Sequence, residues 1–270
     1  MGISEQAALC EWQERNSYSY LDGLTKRDWA WEIVRRNPKM TLAWRSARSS
    51  IERVEQCGPL MIVRCRDHET PLDRWGLLYS DSPAVDARTA CVLWRPDCYA
   101  GVLSMSAVVT ASDGQKTLLH DLQCRSVLLL RPGDQQHIVL LGEGRGLQLT
   151  VQGASVLTPV RLLIDAVPDP NTARIQLDLL RCFQDLRLTG RIRPRRTMKE
   201  MENRRLKMVL QALDGSRAGA SHREIAIAIY GPDRVRADWD DPREHLKDHI
   251  RRTVRRGFSW MSGGYRSFLR

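Results

Sequence analysis

The middle of the chain, residues 60–167, consists of short runs rich in Val, Leu and Ile that are separated by clusters of Gly, Pro and Asp. Such runs with turn residues between them are typical of β-strands joined by hairpins. We expect an antiparallel sheet here, and after it a helix over about 173–188 with an apolar face. The clearest predicted strands are residues 126–130, 137–141, 147–151 and 160–164.

Helical patterns precede this stretch. Thr25 is suited to cap a helix and Asp28 stands at its third position, near the positive end of the helix dipole. That helix is expected to end near Arg36, because Pro38 disfavours helical backbone at the residue before it. A second helix is predicted over 41–55, ending before Gly58 and the proline that follows it.

Three more helices are predicted after the sheet. The first, over 198–213, carries an apolar stripe. The second opens with a capping box, Ser221 to Glu224. The third opens with Asp241 and Pro242 and is expected to stop at Gly257. Residues 231–240 would form the connection between the second and third helices, which is longer than the turn of a tight helix-turn-helix.

These patterns predict an α+β protein. A chain of 270 residues with 42% hydrophobic content can build more than one core. We expect an N-terminal helical domain over 1–58, a β-rich module closed by a helix over 59–190, and a basic helix-turn-helix domain over 191–270. A Pro-containing basic segment, 190–196, would be the linker between the last two.

The positive charge is concentrated at the C-terminal end. Residues 191–270 contain 20 Lys/Arg and 10 Asp/Glu, whereas residues 1–190 contain 22 of each. The whole net charge of +10 therefore belongs to the last 80 residues. A basic domain beside a neutral remainder is typical of a protein that binds a polyanion; a solvated basic face kept for solubility is the alternative.

The third of these helices would have an apolar seam and a wide cationic face. At 100° per residue, Leu246, Ile250 and Val254 fall on one narrow arc. The opposite face would contact bases or phosphates in the major groove of duplex DNA. The candidate DNA-binding residues on this helix are Arg243, Glu244, Lys247, Asp248, Arg251, Arg252, Arg255 and Arg256. The alternative is an exposed helix whose acids and bases form ion pairs with one another.

Two other segments would add contacts. The start of the second helix, with Ser221, His222 and Arg223, is suited to hold a phosphate. After the third helix, residues 258–269 form either a hairpin wing that places Arg266 beside the DNA or a tail that packs into the core. The sequence leaves these two open.

Other classes of chemistry find little support in the sequence. Seven cysteines without a C-x-x-C pair indicate reduced thiols. The His245 and His249 pair lacks a third metal ligand at suitable spacing. No nucleophile elbow, Walker lysine or paired-carboxylate motif is present. We expect no enzyme activity, no cofactor and no metal. Without a secretory signal or a membrane-spanning run, we expect a cytoplasmic, nucleoid-associated protein.

Two stretches also resemble a known family. The segments 20–22, 27–32 and 35–38 resemble the transcriptional regulator-like N-terminal domain of proteins of proteobacterial integrative and conjugative elements. The sheet from about Leu118, with the segments 223–226, 229–231, 251–257 and 263–266, is similar to the C-terminal domain of the same proteins.

The resemblance implies a relative of the excision activator of rhizobial symbiosis islands, which switches on the gene for a recombination directionality factor. It implies duplex DNA, RNA polymerase and a second regulator that shares the C-terminal domain as partners. Activators of this type carry two copies of that domain, whereas this chain shows one. The single copy argues against activation of a promoter by this chain alone, since a second copy would have to be supplied by another protein. The resemblance implies an activator, with two alternatives: an antiactivator or co-activator subunit that binds another protein, and an accessory factor in recombination.

Overall fold

The computed structural model describes residues 11–109, 122, 124–133, 135–142, 145–164, 170, 172–192, 198–239, 241 and 245–270. Helices and strands are mixed, and the α+β prediction is confirmed. The α-helices are α1 (Lys26–Val34), α2 (Pro38–Ala47), α3 (Ala173–Thr189), α4 (Glu200–Arg217), α5 (His222–Tyr230), α6 (Pro232–Asp238) and α7 (His245–Met261). Short 3₁₀ helices cover Arg15–Leu21, Arg48–Ser50, Asp73–Trp75 and Gly264–Leu269.

Within the described residues, the strands form one large sheet and one hairpin. The strands are β1 (Ile51–Cys57), β2 (Leu60–Cys65), β3 (Leu77–Ser80), β4 (Val92–Trp94), β5 (Val102–Val109), β6 (Arg125–Leu130), β7 (Gln135–Gly142), β8 (Arg145–Gly153) and β9 (Val160–Ile164). The large sheet has the order β1-β2-β6-β7-β8-β5-β9, and β3 pairs with β4. All four strands singled out in the sequence are found.

The large sheet is mixed, so the expectation of a purely antiparallel sheet was wrong. β2 runs parallel to β6, and β5 runs parallel to β8. The other pairs of neighbours are antiparallel. Hairpin signals reveal which strands are joined by short turns, but β2 and β5 reach their partners through long connections that leave no local trace.

The second predicted helix is present as α2, but its predicted end at residue 55 was wrong. α2 ends at Ala47, and β1 begins at Ile51. β1 pairs with β2 down to Cys57 opposite Leu60, across a tight turn in which Gly58 has φ 58°. The residues that we expected to stop a helix therefore close a hairpin, since a positive φ of this kind suits glycine.

By contact, the chain divides into two compact units. The helical unit contains the described residues within 1–41, 83–88 and 196–268. The sheet unit contains those within 42–82, 89–195 and 269–270.

The sheet unit has a core on each face of the large sheet. On one face, Leu179 and Phe183 of α3 pack with strand residues such as Leu149. On the other, Leu78 and Leu93 of the β3–β4 hairpin pack with a second set of strand residues. The apolar face predicted for the helix over 173–188 is confirmed.

The helical unit contains α4, α5, α6 and α7. The α4 stripe is buried, as the sequence predicted. The expectation that 231–240 is a loop was wrong, because α6 fills most of it. Gly231 ends α5 with φ 89°, and Pro232 starts α6 at the first helical position, which suits proline because its missing N–H is not needed there.

The stop predicted at Gly257 was wrong as well. α7 continues through Gly257 to Met261. A Cβ added at Gly257 would lie 2.9 Å from Leu213 Cβ and 3.3 Å from the Val209 carbonyl oxygen of α4. This glycine therefore allows two helices to approach closely instead of ending one of them.

The segment after α7 is a 3₁₀ helix, which decides between the wing and the tail. Tyr265 is 1% exposed. Trp260 and Phe268 stack edge to face with their ring centroids 5.4 Å apart. The segment is a packed tail.

Candidate nucleic-acid interface

The start of α5 is held by the predicted capping box. The Ser221 hydroxyl accepts the Glu224 amide at 3.3 Å, and the Glu224 carboxylate accepts the Ser221 amide at 2.7 Å. That bond lowers the pKa of Glu224 below its ordinary value. Ser221, His222 and Arg223 are all exposed. A phosphate held at this terminus would share it with the Glu224 carboxylate.

α7 has the buried seam that the sequence indicates. Leu246, Ile250 and Val254 pack with Ile225 and Ile229 of α5 in one apolar cluster. Gly257 brings the same helix against α4. Two helices therefore fix the rotation of α7 about its own axis, and this fixes which side chains point outward.

Arg251, Arg252, Arg255 and Arg256 of α7 are exposed. Within the part of the chain that the structure describes, the side chains of Arg252, Arg255 and Arg256 make no hydrogen bond or ion pair. Their guanidinium groups are therefore available for an external anion. Arg243 and Glu244 lie outside the described residues, as does most of the cap predicted at Asp241.

Two candidate base-reading residues already have partners. Arg251 Nη1 lies 3.0 Å from Asp248 Oδ1, in an ion pair about half exposed on both sides. Lys247 is partly buried, with its ammonium 5.8 Å from the centroid of the Trp239 ring. Exposed pairs of this kind contribute little, so DNA can displace them at small cost. The alternative in which acids and bases of the helix pair with one another therefore applies to Arg251. It does not apply to Arg252, Arg255 and Arg256, whose side chains have no partner among the described residues.

The structure adds a cationic cluster that sequence reasoning missed. Arg234 of α6 lies over the Tyr230 ring, with its Cζ 4.9 Å from the centroid. The Tyr230 ring lies 6.1 Å from the ring of His249 on α7. α6 brings Arg234 to the side of α7 that carries Arg252 and Arg256. The dipeptide Gly231-Pro232 was the signal, because it fits both the end of one helix and the start of another.

Arg266 is exposed on the C-terminal 3₁₀ helix. It does not lie on a wing, so the route by which we expected it to reach DNA is absent. It lies within the packed tail, with its side chain on the surface of the helical unit.

Behind the interface, α4 is anchored by buried charges. Arg36 donates to Asp214 Oδ1 of α4 at 2.8 Å and to Glu32 Oε2 at 2.7 Å. Arg35 Nε donates to the same Glu32 oxygen at 2.9 Å. All four side chains are at most 4% exposed. Two acids and two bases make this group electrically neutral.

Two tyrosines complete this buried charge network. Tyr18 donates to Asp214 Oδ2 at 2.9 Å, and Tyr20 donates to Glu32 Oε2 at 2.8 Å. Burial raises the pKa of Glu32, but Arg35 and Arg36 lower it more, so the net pKa is below its ordinary value. Tyr20, Glu32, Arg35 and Arg36 belong to the segments that carry the family resemblance. Their task in this structure is to join the N-terminal helices to α4.

Comparisons with known families agree with this picture. Residues 167–270 match a family model described as "T6SS, Transcription factor, DNA binding domain". Residues 11–80 match the proteobacterial transcriptional regulator-like domain. The chain is a DNA-binding transcriptional regulator. No individual curated protein matches the regulator's sequence.

In the regulator, the DNA-binding match covers α3 to α7 and includes every candidate residue named above. Among the described residues, no group of three His, Cys, Asp or Glu side chains is placed to hold a metal ion. None of the described helices is long and apolar enough to cross a membrane.

Proposed function

We propose that the regulator binds duplex DNA with the outward face of α7 and activates genes for excision or transfer of an integrative and conjugative element. The observation that carries the DNA contact is the set of exposed guanidinium groups at Arg252, Arg255 and Arg256, which have no partner among the described residues and share one face of a helix whose rotation is fixed. Such a face suits the major groove and its phosphates.

We propose further that α5 and α7 act as the two helices of a helix-turn-helix, with α6 between them. α7 is the recognition helix. Lys247 and Arg251 exchange their partners within the protein for base edges, and Arg256 contacts the backbone. Asp248 lies near the same end of the helix, where a recognition helix usually meets bases, and we propose that Arg243 and Glu244, which precede His245 in the sequence, contact bases as well. Asp248 would then accept a hydrogen bond from cytosine.

The remaining candidate residues would contact the DNA backbone. Ser221, His222 and Arg223 hold a phosphate at the start of α5. Arg266 contributes a long-range attraction from the surface. In this proposal the sequence domain 191–270 supplies the DNA contacts, while 1–58 and 59–190 are left for a second regulator or RNA polymerase.

Chromatin immunoprecipitation of the native chain tests both the DNA contact and the target. We expect occupancy of a discrete promoter near the excision or transfer genes, and less transcription from it when the chain is deleted. The family matched by residues 167–270 is described with the term T6SS. Occupancy at promoters of T6SS genes would support the DNA contact but replace the target genes that we propose. Binding to another regulator without promoter occupancy would favour the antiactivator.

Specificity is tested by single substitutions. Lys247→Ala or Arg251→Ala should cost about 1–3 kcal/mol on the occupied promoter and much less on random DNA. Arg256→Ala should weaken both nearly equally, because a phosphate contact does not depend on sequence. Equal losses on both DNAs for all three variants would show that α7 binds DNA without reading it.

A further inference from the structure

His249 lies in an unusual place for a histidine on a basic helix. It is exposed at the margin between the buried seam of α7 and its cationic face. Tyr230 of α5 faces it, and Arg234 of α6 lies over that tyrosine. On α7 itself, Arg252 and Arg256 stand three and seven residues further along, one and two turns away on the same side.

The charges around His249 are mostly positive. Arg234, Arg252 and Arg256 all act on it electrostatically. Arg234 has an acidic partner in Asp238, whose carboxylate lies 3.6 Å from Arg234 Nε in an exposed pair. Such a pair is weak in water, so the cluster keeps its net positive charge. Two helices, α6 and α7, thus bring cations together around one imidazole.

We propose that His249, Arg234, Arg252 and Arg256 form a binding site for phosphates of the DNA backbone, in which His249 takes up a proton from water as the DNA binds. This inference rests on the proposed function, because it assigns a phosphate site to the same surface. It adds Arg234 of α6, which the sequence did not suggest, and makes the affinity for DNA depend on pH.

The physical reason lies in the two states of the site. In the free protein, partial burial and the charges of Arg252, Arg256 and Arg234 hold the pKa of His249 below its ordinary value, so the ring is neutral near pH 7. Phosphates bring negative charge among the arginines and remove the repulsion that opposed the imidazolium. The pKa then rises, and binding consumes a proton.

Binding of the full chain to a fluorescently labelled duplex of random sequence tests this at constant ionic strength. We expect affinity about five- to tenfold higher at about pH 6 than at about pH 8, since one proton taken up gives at most tenfold per pH unit. His249→Gln should lose most of this difference. His249→Lys should bind at about pH 8 as tightly as the wild type at about pH 6. His245→Gln, four residues earlier on the same helix, should keep the full difference.

Nuclear magnetic resonance of the His249 ring gives a second readout that does not depend on affinity. Addition of the duplex should raise the pKa of His249. Arg234→Gln should raise the pKa of His249 in the free chain and weaken DNA binding. Arg236→Gln, which removes the partner of Asp233 on the same helix, should change neither the pKa nor the binding. A thermal midpoint for each variant controls for folding.

The outcomes separate the two proposals. If the wild-type chain binds no duplex at either pH, the proposed DNA contact fails. If it binds, but His249→Gln keeps the whole pH dependence or the ring keeps its pKa when DNA is added, this inference alone is overturned.

Discussion

At the scale of single residues, Arg36 joins two separate parts of the helical unit through buried bonds. It bonds to acids on two separate parts of the chain, Glu32 on α1 and Asp214 on α4, and is itself 3% exposed. Removing one partner of a buried ion pair leaves a charge without water or counter-charge. The network therefore serves mainly to fix the position of α4, and it adds less to the net free energy of unfolding.

Arg36→Met keeps most of the side-chain volume and removes the charge. We expect it to lower the free energy of unfolding by about 3–5 kcal/mol, because Asp214 stays buried without its main partner. Chemical denaturation of the full chain measures this. Arg204→Met breaks an exposed pair with Glu200 on α4 and should cost less than about 1 kcal/mol. Equal losses for both would mean that the buried network contributes no more than a surface pair.

His137 predicts how the sheet unit responds to acid. This side chain of β7 is 4% exposed. Burial, and next the charge of Arg131, lower the pKa of His137 to about 4. The folded pKa lies below the unfolded value of about 6.5, so stability is complete above about pH 6.5 and is lost as the pH falls toward 4.

His137→Gln removes this titration. Between about pH 7 and about pH 5, we expect the wild type to lose about 2 kcal/mol more stability than the variant. Denaturant titrations at the two pH values measure the difference. An equal loss in both proteins would mean that folding does not lower the pKa of His137.

At the scale of elements, the contact between α4 and α7 decides which side chains reach DNA. Gly257→Ala tests it, because the added Cβ would meet Leu213 and the Val209 carbonyl. The gain in helix propensity is about 1 kcal/mol, and the overpacking costs about 1–3 kcal/mol. We expect a lower thermal midpoint and weaker DNA binding. Ser259→Ala, exposed on the same helix, should change neither, and a stabilised Gly257→Ala chain would contradict the packing.

Helices and strands were predicted best where a local sequence pattern corresponds to a single kind of structure. The capping box at Ser221 is found with both bonds in place, and at the start of α1 the amide and hydroxyl of Thr25 both donate to Asp28 Oδ2. Gly257 and the Gly58 turn were misread, because glycine ends helices, closes hairpins and permits close packing alike. Only the partner segment decides among these meanings. Of the candidate site, α7 could be predicted from its periodicity, but Arg234 required knowing that α6 exists.

At the scale of the whole molecule, the helical unit is built from both ends of the sequence. Trp12 packs on Gly215 and Ile225, and Tyr18 bonds to Asp214. The fragment 191–270, which the sequence presents as a domain, therefore lacks part of this core. We expect it to have a lower thermal midpoint and weaker DNA binding than the full chain.

Asp214→Asn gives a sharper form of this prediction. In the full chain it removes the charge that faces Arg36 and should cost about 3 kcal/mol or more. In the fragment the carboxylate faces water, and the cost should be near zero. Denaturation of four proteins, with and without the substitution, forms a thermodynamic cycle. Equal costs in both backgrounds would show that the N-terminal residues do not complete the unit.

The DNA contact that we propose for the outward face of α7 is tested most directly by the salt dependence of the affinity for DNA. For the full chain on a random duplex, contact with roughly six phosphates gives a log–log slope near −5. Replacing Arg252, Arg255 and Arg256 together by Gln should weaken binding at least tenfold and reduce the slope by about 2–3. The control replaces Arg174, Arg181 and Arg187, three exposed arginines of α3, and removes the same charge. We predict a control close to wild type; equal losses in both variants, or none in the α7 variant, would contradict the claim.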